Sequence, residues 1–136
     1  MKRAFLYAWT GPTTLIGLLA AGLTLLTGGR LACVEGVLEV HGGFAAFVLR
    51  RLVPLPNGAA ALTLGHVVLG QTAADLARTR RHERVHVRQT ERWGPLFIPA
   101  YFVASFLAWR AGGDAYRDNA FEREAYATDQ KHPSDE

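Results

Sequence analysis

Residues 73–92 read AADLARTRRHERVHVRQTER. The stretch is long, charged and free of glycine and proline, which predicts the strongest helix of the chain. Thr72 stands at the N-cap position, with Asp75 three residues on. Inside the helix, His82-Glu83-Arg84-Val85-His86 sets two imidazoles four residues apart. On a helix both lie on one face, a turn apart. Two neutral ring nitrogens so placed can meet one zinc ion at about 2.0–2.1 Å each. Glu83 projects beside them, where a carboxylate can take a proton from water and later deliver it to a leaving group. Zinc does the complementary part: it lowers the pKa of a water towards about 7 and polarises a carbonyl.

A catalytic zinc needs a third protein ligand and an open position. With a single cysteine, Cys33, no Cys-rich site is possible, so the ligands must be histidines and carboxylates. Downstream, Asn119-Ala120-Phe121-Glu122 reads as a cap leading into a last helix through Ala127. Glu122 and Glu124 are the candidates there. They point roughly 160° apart on an ideal helix, so only one can reach the metal. Glu122 is preferred: it begins an E-x-x-A pattern in which a small Ala125 lets this helix pack close to the first. Glu122 also suits a capping box with Asn119, which would spend its carboxylate locally. His66 and His41 are weaker ligand candidates. Gln89, three residues after His86, shares its face and can support it. Tyr116 and Tyr126 are candidate donors to an oxyanion. The serious competing reading is a charged surface helix with two incidental histidines.

The rest of the chain frames this helix. From Ala4 to Gly29 there is no charged residue, and Lys2 and Arg3 precede the run. That length suits one membrane-spanning helix over residues 1–30, with a cytoplasmic N-terminus. A signal peptide and a buried core helix are the alternatives. Residues 31–41 suggest a short strand bent at Gly36, and residues 44–52 a short helix or second strand. Pro54, Pro56, Asn57 and Gly58 mark a turn. Residues 60–70, AALTLGHVVLG, are a β-type run with Leu62, Leu64, His66 and Val68 on one face. The first half after residue 30 is therefore expected to be a small, mostly antiparallel sheet. The apolar run from Trp93 to Trp109, started by Pro95, reads as a helix lying against the first, in a membrane interface or in the core. It must not cross the bilayer, or Glu122 would lie opposite His82 and His86. The tail, 131–136, is expected to fray.

The runs HERVHVRQTERWGPLFIPAY (82–101) and YRDNAFEREAY (116–126) resemble small bacterial proteins of the zincin-like, gluzincin-type metallopeptidase group. ALTLGHVVLG resembles the strand preceding the active-site helix in such folds. The resemblance covers about residues 60–127. It implies His82, His86 and Glu122 as zinc ligands and Glu83 as general base. One departure is plain: many zincins carry an aspartate four residues after the ligand glutamate, and here that residue is Tyr126. Support for a histidine must come from elsewhere, with Asp118 or a backbone carbonyl as candidates.

The expectation is thus an α+β chain: a membrane anchor over 1–30, a zincin-like metal-binding domain over 31–130, and a tail. The anticipated function is a membrane-anchored zinc hydrolase acting on peptides, its catalytic part outside the cytoplasm. A zinc enzyme acting on an apolar small molecule and a non-enzymatic membrane interaction protein are the alternatives. The net charge of +3 is mild. Arg78, Arg80, Arg81, Arg84, Arg88 and Arg92 crowd one stretch, but no aromatic-basic pattern accompanies them. They read as a solvated helix face, and no nucleic-acid partner is expected.

Overall fold

The computed structural model describes residues 2–131. The expected tail therefore lies outside them, Lys131 apart, which ends the last helix. The chain runs α1 (Lys2–Trp9), α2 (Gly11–Leu26), β1 (Arg30–Val34), β2 (Val37–His41), α3 (Gly43–Arg51), β3 (Ala61–Leu64), β4 (Val67–Gly70) and α4 (Ala73–Trp93). A 3₁₀ turn (Gly94–Leu96), α5 (Phe97–Arg110) and α6 (Ala120–Lys131) follow. This is the expected α+β class.

Both strand-like stretches fold into hairpins rather than single strands. Glu35 and Gly36 have φ of 54° and 79°, the pair of positive values a tight two-residue turn needs, so β1 pairs back on β2 with Val34 opposite Val37. Gly65, at φ 66°, starts the equivalent turn between β3 and β4. The sheet is not simply antiparallel, however. Its order is β1-β2-β4-β3, and the two hairpins join through parallel pairing of β2 with β4. Parallel neighbours need a crossover connection, and the segment that supplies it contains α3.

The sheet is covered on both faces. Val40, Val67 and Leu69 pack with Ala21 of α2 and with Ala45 and Leu49 of α3. Val37 and Val68 pack with Leu76 and Val87 of α4. Two of the clustered arginines also turn inward. Arg80 and Arg84, one turn apart, hydrogen-bond the buried Glu39 of β2 at 2.9–3.1 Å. Burial alone would raise the Glu39 pKa, but the bonds and charges of these guanidinium groups outweigh it and hold the carboxyl below its ordinary value. The arginine stretch is thus in part a sheet-facing clamp rather than a wholly solvated face.

The N-terminal segment departs most from expectation. It forms two helices bent by 70°, and among the described residues no single helix is long and apolar enough to cross a membrane. Pro12 sits in the first turn of α2, where its missing N–H costs nothing. Thr10, at the bend, is fully buried and bonds Leu6 O and the His66 ring. Beyond the bend, α2 lies directly on the fold through Thr13, Gly17, Ala21 and Thr24. A Cβ on Gly17 would stand 2.7 Å from Leu64 O and from Val67 Cβ. A helix without a polar face can therefore be half core, because small residues line its inner side.

Candidate metal centre

The residues that form the site come from two helices. The face of α4 that carries Leu76, His82, Glu83, His86 and Thr90 is buried, at the i, i+3/i+4 spacing that makes one stripe. On α6, Asn119 caps the first turn: its Oδ1 accepts from Phe121 N–H at 2.8 Å. Its Nδ2 donates to Tyr101 O and Ser105 Oγ, tying α6 to α5. The capping-box alternative for Glu122 is not taken up. Its buried carboxylate turns to α4 instead, and α6 packs against α4 with Ala125 fully buried.

There His82, His86 and Glu122 form a buried group that can hold a metal ion. His82 Nε2 and His86 Nε2 are 3.3 Å apart. Glu122 Oε2 is 3.0 Å from the first, and Oε1 is 3.2 Å from the second. A tetrahedral site with bonds of about 2.0–2.1 Å has donor–donor edges of about 3.3 Å, near the Nε2–Nε2 separation and the distance from each ring to one of the two Glu122 oxygens. Glu124 takes no part: half-exposed, it bonds Arg92 and Gln89. His41, at the end of β2, and His66, bonded to Thr10 and Glu91, stand outside the cluster.

The outer ring atoms explain why the inner ones converge. Gln89 Nε2 donates to Phe121 O, so Gln89 Oε1 must accept, and it does so from His86 Nδ1 at 2.8 Å. His82 Nδ1 meets the Asp129 carboxylate at 2.9 Å and donates to it. With both Nδ1 atoms protonated, each neutral ring turns a bare Nε2 lone pair towards the other and towards a carboxylate. Three lone-pair donors cannot face one another at these distances without a cation or shared protons between them. In the absence of metal the cluster holds protons. Burial lowers the His86 pKa, but the Glu122 hydrogen bond and the Glu83 and Glu122 charges overcome it and raise it to about 9. His82 is raised as well: burial opposes this, and bonds to Glu122 and Asp129 and the Glu83 charge outweigh it. Burial pushes Glu122 up, yet bonds from His82, His86 and Tyr101 bring it down to about 2.

Glu83 belongs to the same buried patch. Thr63 of β3 donates to its Oε2 at 2.6 Å, fixing the carboxylate. Tyr101 donates to Glu122 Oε1 at 2.7 Å, and burial together with the Glu122 charge raises its phenol, so it remains a donor. Tyr126 stands edge-on to His82 with ring centroids 4.6 Å apart, and its hydroxyl donates to that of Tyr116. Gln89 supports His86 as its spacing suggested.

No protein-family model, curated protein or solved structure matches the chain. The resemblance to zincin-like peptidases therefore rests on the motifs alone.

Three supporting residues escape a reading of the sequence. Asp118, the expected partner of a histidine, bonds Asp114 N and Arg123 instead, because it lies before the helix in the preceding turn. Asp129 does the work two helical turns beyond Glu122, and that i, i+7 spacing was a usable signal. Tyr101 lies in an apolar run read as interfacial, and Thr63 in a strand. Neither position is marked out by its neighbours.

Proposed function

We propose that this protein is a zinc-dependent hydrolase of the metallopeptidase type, with His82, His86 and Glu122 as ligands and Glu83 as general base. The observation that carries the reading is the convergence of the two Nε2 atoms and the Glu122 carboxylate at the edge lengths of a tetrahedral site. Two imidazoles and one carboxylate, all buried, suit zinc among the divalent ions, and as three ligands they leave a fourth position open. When bound, zinc supplies a Lewis acid that polarises a carbonyl and lowers the pKa of a water. The residues of the chain supply the rest. Asp129 and Gln89 hold the rings with Nε2 inward, and Tyr101 steadies the ligand carboxylate. Glu83, oriented by Thr63, accepts a proton from water and returns it to the departing nitrogen.

Peptide is the favoured substrate class because β3 is an edge strand of the sheet and its Thr63 touches Glu83. An extended chain paired along such an edge has its carbonyls held in register. The test combines metal analysis with cleavage of a peptide library. The wild type should carry one zinc per chain and cut peptides, and His82→Ala should lose the metal. Glu83→Gln should keep the metal and lose about 10²–10⁴-fold in turnover. Full activity in Glu83→Gln, or wild-type protein that takes up no zinc, would sink the reading.

A further inference from the structure

We infer that this protein docks on an anionic bilayer through the outer faces of α2 and α5, lying in the interface rather than crossing it. While the inner side of α2 is spent on the sheet, its outer side presents Leu15, Leu19 and Leu26, the last 84% exposed. On α5, Tyr101 turns inward to Glu122 while Phe102, Phe106 and Trp109 stand in the open. The two surfaces are connected. The 3₁₀ turn that begins α5 touches α2, and the Trp9 indole lies over its Gly94, where a Cβ would come within 2.2 Å of the ring. An exposed apolar surface built from two helices marks an interaction site.

Charge selects the occupant. Every carboxylate among the described residues lies on β1-β2, on α4 or beyond residue 113, and α1, α2, α3, the 3₁₀ turn and α5 carry none. The charged groups on those elements are all cations. Arg110 follows Phe106 by one turn on α5, and Arg51 follows the exposed Phe47 by one turn on α3. Exposed apolar side chains on elements that carry arginines and no carboxylate match the headgroup region of an anionic leaflet, with Asp114 and Asp118 lying just past the end of α5. A second copy would set like charges against one another. A span is opposed by the 70° bend and by the buried small-residue face of α2. The dock would place the Glu122 cluster one helix away from the lipid. It stands independently of the zinc reading.

The test is flotation of the purified full chain with phosphatidylglycerol-containing vesicles and with phosphatidylcholine vesicles. Binding should require the anionic lipid, and Arg51→Gln with Arg110→Gln should weaken it about 25-fold, near fivefold per cation. Far-UV circular dichroism on the same samples shows that the variant still folds, and metal content measured beside it keeps this outcome apart from that of the hydrolase. Sidedness is read by a membrane-impermeant maleimide on vesicles to which protein has been added. Exposed Cys33 and, separately, Lys2→Cys in a Cys33→Ser background should both label. Protection of position 2 means a span and overturns the inference. So do equal binding to both vesicle types and a discrete dimer that ignores vesicles.

Discussion

Asp129 shows how much of the cluster depends on a side chain outside the group of three. Its carboxylate fixes the proton of His82 on Nδ1 and so keeps Nε2 bare. Asp129→Ala should lower zinc affinity about 10–100-fold while leaving far-UV circular dichroism unchanged, as measured by competition with a chelating dye. The histidines also predict a pH dependence. In metal-free protein His86 is raised from 6.5 to about 9. A raised folded-state pKa contributes stability that is complete below 6.5 and is lost as pH rises through about 9. Melting of the chelated protein should therefore fall across that window. Zinc affinity should run the other way, rising with pH up to about 9, because each uptake displaces a proton. Calorimetry in buffers of different ionisation enthalpy should find at least one proton released per zinc near neutral pH, since both histidines are raised.

Among the elements, α2 and α4 were read with unequal success, for a physical reason. The α4 stripe is written in contrast, apolar and histidine residues against arginines, and helical period plus cap and the glycine-free run locate it within a residue. In α2 there is no contrast, so nothing along the chain says which side is buried. The answer lies in residue size: Gly17 and Ala21 let the helix axis approach the β3-β4 hairpin. Gly17→Val should overpack this contact and cost about 1–3 kcal/mol or more, since one of the clashing atoms is backbone. Urea unfolding measures it, and a loss below a few tenths would show that α2 does not seat as described.

For the whole molecule, an ion held by His82, His86 and Glu122 would staple α4 to α6, helices separated in sequence by the 3₁₀ turn and α5. Any ligand that binds only the folded state stabilises it, by about 4 kcal/mol at a thousandfold excess over Kd. Zinc should therefore raise the melting temperature by roughly 10–15 °C for a chain of this size, and a chelator should reverse the gain. A His86→Ala variant should show no such response. If the wild type melts at the same temperature with and without zinc, the three side chains do not share an ion.

The sequence by itself determined the α+β class, the α4 helix and the pairing of His82 with His86, because a four-residue spacing on a helix settles which side chains are neighbours without reference to anything distant; Glu122 it offered only as the preferred third candidate, and the packing of α6 on α4 decided that. The sequence also singled out Gln89, three residues from His86. The parallel joining of the hairpins, the seating of α2 on the sheet and the Asp129, Tyr101 and Thr63 contacts were decided only by the tertiary structure. Each of these depends on where a remote segment comes to rest, and local periodicity carries no record of that.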